Sequence, residues 1–179
     1  MTFKKEAILL MGAPGSGKGT QGEILEKRSK YKYYIMSSMI KKKLKSDTHL
    51  YENVIKKGKL LNDLDVFEIF RKSFKGEDKV IIDGIPRTLD QAYWLYGYLR
   101  QHDYAIRVVY IDVKDRELLK RVKERGREDD KEDVFKERLK IYKHIRAVVR
   151  SVYSRYLIEI DGNRPVEEVS KEVQSKLGV

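Results

Sequence analysis

The stretch that most constrains this chain is residues 12–20, which read Gly-Ala-Pro-Gly-Ser-Gly-Lys-Gly-Thr. An apolar run, residues 7–11, precedes this stretch, and a segment with helical spacing follows it. A phosphate-binding loop needs this context of strand, glycine loop and helix, and Gly12, Gly17 and Lys18 fit its pattern G-x-x-x-x-G-K. The glycines let backbone N–H groups turn inward around an anion, and the new helix directs the positive end of its dipole at the same point. We therefore predict a phosphate site in which Lys18 reaches the outer phosphates, in preference to a glycine-rich turn that binds nothing.

Short β-branched or aromatic runs alternate with helical segments along the chain. We predict strands at residues 7–10, 33–36, 80–82, 108–111 and 157–160. Apolar residues at three- and four-residue spacing predict a long helix over residues 134–156, which we interpret as core. Asn62 and Asp63 are expected to begin another helix, and Asn163 to cap the last one. The fold class expected is α/β, a three-layer sandwich around a five-stranded parallel sheet with two small lids.

The bulk composition limits the kind of protein. A chain of 179 residues, 41% of them hydrophobic, predicts a single globular domain over residues 1–179. No apolar stretch reaches the length of a membrane span, and no signal peptide is seen, so we expect a cytoplasmic protein with no membrane partner. The absence of cysteine excludes disulfides and thiolate metal sites. A formal net charge of +11 favours polyanionic partners, either nucleic acids or nucleotides.

A second motif, residues 83–92, follows the predicted strand at 80–82. Asp83 would lie at the end of a strand beside the phosphate loop, where a magnesium ion and its waters need a hard oxygen ligand. The alternative is that Asp83 merely caps the turn. Arg87 would point into the same cleft, and its guanidinium can bind a phosphate in bidentate fashion.

A third stretch, residues 121–130, is rich in arginine and is followed by Arg138. Such a charge run is ordinarily a solvated surface. However, the three motifs together resemble those of adenylate kinases, within the nucleoside monophosphate kinase family. The loop runs on as Gly19-Thr20-Gln21, residues 83–88 are similar to the family's DGFPRT with Ile85 in place of Phe, and the arginine spacing is similar to that of short-lid members.

The resemblance implies a role for each matching residue. The residues expected to bind ATP are Gly12, Ala13, Pro14, Gly15, Ser16, Gly17, Lys18, Gly19, Thr20, Arg121 and Asn163. The residues expected to bind AMP are Ser38, Lys43, Lys59, Leu60, Leu61, Gly84, Arg87, Gln91, Arg127 and Arg138. The catalytic set is Lys18, Arg87, Arg125, Arg127 and Arg138, and Asp83 would hold Mg²⁺ through water. Gln91 favours AMP, because pyrimidine-monophosphate kinases carry Asn at that position.

The resemblance also implies two lids, and this sequence departs from the family in both. The acceptor lid is expected over about residues 38–67, where Lys43 replaces the usual arginine and should weaken AMP binding. The donor lid, about residues 126–133, is very short, because only Gly126 separates Arg125 from Arg127. A chain without cysteine cannot hold the zinc found in some long lids, so no zinc is expected.

The reaction expected is reversible, Mg²⁺-dependent phosphoryl transfer from ATP to AMP, giving ADP from both substrates. A kinase for CMP or UMP is an alternative on the same fold. A nucleic-acid-stimulated ATPase and an inactive nucleotide sensor are alternatives of other classes. We expect no nucleic acid partner, because no second binding motif or aromatic-basic face is visible, and we expect a monomer.

Overall fold

The structure, a computed structural model, describes residues 3–44, 59–126 and 131–179. The strands are β1 (Lys5–Met11), β2 (Lys32–Ile35), β3 (Lys79–Asp83), β4 (Tyr104–Asp112) and β5 (Leu157–Asp161). The helices of the described residues are α1 (Lys18–Arg28), α2 (Met36–Leu44), α3 (Asp63–Ser73), α4 (Leu89–Gln101), α5 (Asp115–Arg125), α6 (Glu132–Val152) and α7 (Val166–Leu177). A 3₁₀ turn, Ser154–Tyr156, links α6 to β5.

The five strands form one parallel sheet in the order β2-β3-β1-β4-β5. The strand β1 is central, and every strand runs in the same direction, so the carboxyl ends meet at one edge. The pairing places Leu10 beside Asp83 and Met11 beside Tyr110. The phosphate loop and the second motif therefore leave the sheet at neighbouring positions, as expected for a ligand site in such a fold.

Helices cover both faces of the sheet, which gives the predicted three layers. One core joins the sheet to α1, α5 and α7 through apolar residues such as Leu25, Val122 and Val173. The other joins it to α2, α3, α4 and α6 through residues such as Phe70 and Ile145. Burial of both sheet faces explains why the strands are continuous apolar runs. No helix in the ranges described is long and apolar enough to cross a membrane.

The secondary structure predictions are confirmed in type, with some differences at the ends. The helix predicted over residues 134–156 ends at Val152, and Met36, predicted in a strand, begins α2. Asn62 caps α3 by accepting from the Asp65 N–H at 2.9 Å. The prediction that Asn163 caps the last helix is wrong, because α7 begins after Pro165 and the Asn163 Oδ1 instead accepts from the Lys114 N–H at 3.1 Å.

Candidate active site

The glycine loop turns sharply between β1 and α1. Gly15 and Gly17 have φ values of +87° and +91°, which residues other than glycine adopt only at a cost in strain. A Cβ at Gly12 would lie 2.4 Å from the Ser16 Oγ and 2.9 Å from the Ile111 carbonyl oxygen, so only glycine fits there. The Ser16 Oγ is buried, and no described atom bonds to it. The loop therefore has the backbone geometry and the polar atoms of an anion cradle.

Asp83 ends β3 beside this loop and is 94% buried. Its Oδ2 accepts a hydrogen bond from the Tyr33 hydroxyl at 2.9 Å, whereas its buried Oδ1 has no partner among the described residues. Burial and then the carboxylate charge raise the pKa of Tyr33 far above its usual value, so the phenol stays protonated and keeps donating.

The donor set at Asp83 fits a magnesium ion that is held mainly by nucleotide phosphates and waters. A single hard carboxylate oxygen with no protein partner is what such an ion needs from the protein. Clusters of three or more His, Asp or Glu that could hold a metal alone are absent from the described part of the chain. Asp83 could therefore contribute one oxygen to a metal site that the nucleotide completes.

Arg87 follows β3 through a turn that contains the cis peptide bond Ile85–Pro86. Its Nε donates to the Gly84 carbonyl at 3.1 Å, which fixes the plane of the guanidinium. The Arg87 N–H donates to the Gln91 Oε1 at 2.7 Å, so the predicted phosphate ligand and the predicted base ligand are joined directly. The Gln91 Nε2 donates to Asp63 at 2.7 Å.

Charged groups from distant parts of the sequence meet at Lys18. Burial lowers the pKa of Lys18; Asp83 opposes this shift, while Arg87, Arg125 and Arg138 add to it. Burial likewise lowers the pKa of Arg87, with Arg138 adding to the effect. Burial is the main cause of both shifts, and the added effect of the arginines shows that other cations lie near each group. The sequence expectation that these four side chains converge therefore agrees with the electrostatics of the fold.

Arg121 lies on the other side of the loop, near the end of α5. Its Nη1 donates to the Gly162 carbonyl at 3.0 Å and its Nε to Glu117 at 2.8 Å. Gly162 and Asn163 form the turn after β5, and this turn is tied to the β4–α5 turn by the bond from Lys114 to Asn163. The structure thus brings together Arg121 and Asn163, the two residues predicted to bind ATP outside the loop.

The acceptor-side residues lie over β2 and β3. Asp63, at the start of α3, accepts from the Thr88 hydroxyl at 2.7 Å as well as from Gln91, which fastens this helix to the start of α4. Leu61 is buried and Leu60 half-buried, whereas Ser38, Lys43 and Lys59 are exposed. The hydrogen bond and charge of Lys72 lower the pKa of Glu68, and the charge of Lys43 adds to this effect. Trp94 packs against Phe67 with ring centroids 4.3 Å apart, which joins α3 to α4.

Two predicted regions fall partly outside the described residues. Arg127, a predicted catalytic and AMP-binding residue, belongs to 127–130, and the middle of the acceptor lid, residues 45–58, also lies outside. Their predicted roles stay predictions.

Tyr142 is a residue at this site that sequence reasoning missed. The apolar stripe of α6 led us to interpret it as core, yet its hydroxyl accepts a hydrogen bond from the Gly12 N–H. Burial raises the pKa of Tyr142 well above its usual value, so the oxygen remains a neutral hydroxyl. Its position one helical turn after Arg138 could have suggested that it faces the loop.

A cleft of about 490 Å³ lies beside the ends of β4 and β5, away from the gathered cations. Basic side chains of α6 pair with carboxylates nearby: Arg146 with Asp112 at 2.6 Å and Lys143 with Asp115 at 2.6 Å. These pairs connect α6, the helix that carries Arg138, to the end of β4 and to the start of α5.

Comparison with known proteins agrees with this geometry. The family model described as "Adenylate kinase" matches residues 10–157, which span the loop, the Asp83–Arg87 turn, Arg125 and Arg138. The chain belongs to the adenylate kinase family.

Relatives of the same name cover nearly the whole chain. The adenylate kinase of Prochlorococcus marinus strain MIT 9515 is 34% identical over 180 residues, which cover 97% of this chain and 99% of that protein. That of Azobacteroides pseudotrichonymphae is 34% identical over 185 residues, covering 95% and 96%. Adenylate kinase 1 of Nostoc sp. strain PCC 7120 is 31% identical over 180 residues, covering 96% and 98%. The similarity to adenylate kinases thus extends beyond the motifs to the full length of the fold.

Proposed function

We propose that the chain catalyses the reversible transfer of a phosphoryl group from ATP to AMP, giving ADP from both. The observation that carries this proposal is the gathering of Arg87, Arg125, Arg138 and Asp83 around Lys18, beside the ends of β1 and β3. The membership of the adenylate kinase family and the full-length relatives of that name support the same reaction.

The gathered cations suit the demands of phosphoryl transfer. The transition state spreads negative charge over the oxygens of the moving group, and fixed positive groups stabilise it without rearranging. Lys18 lies where the phosphate loop meets α1, and Arg87 lies in the turn after β3. Arg125 ends α5, and Arg138 lies in α6. Four separate elements therefore hold charge around one point. The acceptor is itself an anionic phosphate, so the site needs no general base.

The two nucleotides would lie end to end across the carboxyl edge of the sheet. ATP would place its base beside Arg121 and the turn at Gly162, which are joined by a hydrogen bond, and its phosphates in the loop after β1. AMP would lie over β3 and β2, with its phosphate on Arg87 and its base near Gln91. Because the bond between Arg87 and Gln91 links these two ligands, the phosphate and base positions of the acceptor are set together.

Magnesium is expected to accompany ATP, where it would neutralise phosphate charge. Asp83 would orient the ion's water shell through Oδ1, the oxygen that no described residue bonds. We further propose that the chain acts as a cytoplasmic monomer, a single domain with lids over about residues 38–67 and 126–133, and that it needs no nucleic acid.

A steady-state assay tests the proposed reaction. ADP formation from ATP is measured with AMP, CMP, UMP or GMP as the acceptor, with and without Mg²⁺, and with RNA added in a separate arm. The expected result is Mg²⁺-dependent ADP formation with AMP preferred and no effect of RNA. Preference for CMP or UMP would refute the acceptor, and ATP hydrolysis that RNA stimulates would refute the reaction.

A further inference from the structure

The hydrogen bond that joins Tyr33 to Asp83 was not predicted from the sequence motifs, since Tyr33 belongs to none of them. Tyr33 is 9% exposed and Asp83 is 6% exposed, and the 2.9 Å bond from the phenol to Oδ2 is fully buried. In the β2–β3 pairing Tyr33 lies opposite Ile81, and Asp83 is two residues farther along on the same face. Such a diagonal neighbour is within reach of an aromatic side chain. The phenol therefore spans the distance to a carboxylate at the very end of the sheet.

Gly22, on α1, makes room for the phenol. A Cβ at Gly22 would lie 2.4 Å from Cζ of Tyr33 and 2.7 Å from its hydroxyl oxygen. Contacts this short do not occur, so any larger residue would push the ring away. A glycine inside a helix lowers helix stability relative to alanine. Its presence here, one turn after Lys18, is explained by the space that Tyr33 occupies.

We propose that Tyr33 is a positioning residue that holds Asp83 by Oδ2, so that Oδ1 alone faces the magnesium ion of the bound nucleotide, and that Gly22 sets the place of Tyr33. The proposal rests on the proposed function, because it assigns the magnesium role to Asp83. Without the phenol, the carboxylate of Asp83 can rotate about its Cβ–Cγ bond. The oxygen that meets the ion's water shell is then no longer fixed. Partners of this kind, which hold a ligand rather than the metal, are commonly worth 10- to 100-fold in affinity or activity.

A matched control lies two residues earlier in the chain. The Tyr31 hydroxyl donates to the Glu6 carboxylate at 2.6 Å, so it makes the same kind of bond at the amino-terminal end of the sheet. Tyr31→Phe and Tyr33→Phe therefore remove the same atom and the same type of donated hydrogen bond, and Tyr31→Phe also removes the bond that its hydroxyl accepts from Arg107 at 3.2 Å. Only the second change touches the predicted metal ligand.

The first experiment measures binding rather than turnover. Isothermal titration calorimetry gives the affinity for a non-hydrolysable ATP analogue with and without Mg²⁺. We expect Mg²⁺ to lower the Kd of the analogue for the natural protein and for Tyr31→Phe. The ratio of the Kd without Mg²⁺ to the Kd with Mg²⁺ should be about tenfold smaller in Tyr33→Phe, and Mg²⁺ should have no effect on the Kd of Asp83→Ala. Binding without Mg²⁺ should be alike in Tyr33→Phe and the natural protein.

The outcomes separate the inference from the proposed function. Full tightening in Tyr33→Phe, with loss in Asp83→Ala, would overturn the role of Tyr33 alone. Full tightening in Asp83→Ala would overturn the magnesium role of Asp83, and with it the inference.

A second pair of variants tests Gly22 and does not depend on how Tyr33→Phe folds. Gly22→Ala should reduce the Mg²⁺ effect as Tyr33→Phe does, whereas Gly97→Ala, in α4 with no heavy atom within 4 Å of the added Cβ, should not. Because both changes act on the same bond, the Gly22→Ala and Tyr33→Phe losses should not add in the double variant. An unchanged Mg²⁺ effect in Gly22→Ala, or fully additive losses, would overturn the proposed coupling.

Discussion

Arg87→Lys offers a sharp test of the acceptor side, because it keeps the charge and removes the planar fork. In the structure the Nε of Arg87 is held by the Gly84 carbonyl at 3.1 Å, which leaves the two terminal nitrogens to face a phosphate. Lysine cannot keep that bond and at the same time bind two phosphate oxygens. One lost hydrogen bond to a charged group is worth about 1.5–3 kcal/mol. At about 1.4 kcal/mol per tenfold, we expect kcat/KM for AMP to fall roughly 10- to 100-fold.

The assay varies AMP at saturating ATP and then ATP at saturating AMP. The KM for ATP should change little, and Arg100→Lys, near the carboxyl end of α4, the helix that follows Arg87, should behave as the natural protein. Burial and the nearby Arg138 lower the pKa of Arg87, so its charge is unfavourable in the free protein. Arg87→Ala should therefore leave the melting temperature unchanged or slightly higher while it reduces AMP use more strongly than Arg87→Lys. If only the KM for ATP rose, the donor and acceptor sides would be reversed.

Three further predictions follow from the structure. Lys18→Ala and Arg125→Ala should each lower kcat by orders of magnitude with far-ultraviolet circular dichroism unchanged, and normal turnover in either would contradict the assigned roles. Gly12→Ala should abolish ATP binding in calorimetry, because the added Cβ would lie 2.9 Å from the Ile111 carbonyl oxygen and force the loop to move. Normal ATP binding in this variant would show that the loop does not cradle phosphate. Although burial opposes it, the bond from Tyr31 and the charge of Arg107 lower the pKa of Glu6. The stability that the Glu6 carboxylate adds is present above its unfolded pKa and is lost as the pH falls through its folded pKa. Below about pH 4.5, the free energy of unfolding of Glu6→Gln, measured by chemical denaturation, should therefore fall less steeply with pH than that of the natural protein. An unchanged slope would refute this contribution of Glu6.

The sequence was sufficient to predict the sheet, the loop and the grouping of Lys18, Arg87, Arg125 and Arg138. Buried parallel strands are short apolar runs, and the carboxyl ends of such strands meet at one edge, so motifs that follow strands are brought together. Roles for these side chains could be predicted because the motifs resemble those of a family.

The contacts that the sequence did not reveal depend on distances between elements. Asn163 has the residue type of a helix cap, but the Lys114 N–H competes for its oxygen and the helix begins later. Tyr142 follows the period of a buried stripe, and periodicity does not tell a core tyrosine from one whose hydroxyl meets a loop. Tyr33 reaches Asp83 only because β2 and β3 pair in one register and Gly22 leaves space.

The central claim is that one cleft holds both nucleotides while cations from four separate elements surround the point where their phosphates meet. A crystal structure with a bisubstrate dinucleoside polyphosphate tests this directly. We predict that the Lys18 ammonium and the guanidiniums of Arg87, Arg125 and Arg138 lie within hydrogen-bond distance of the phosphate chain, with one base beside Arg121 and the other beside Gln91. A phosphate chain bound elsewhere, with these guanidiniums turned into solvent, would contradict it.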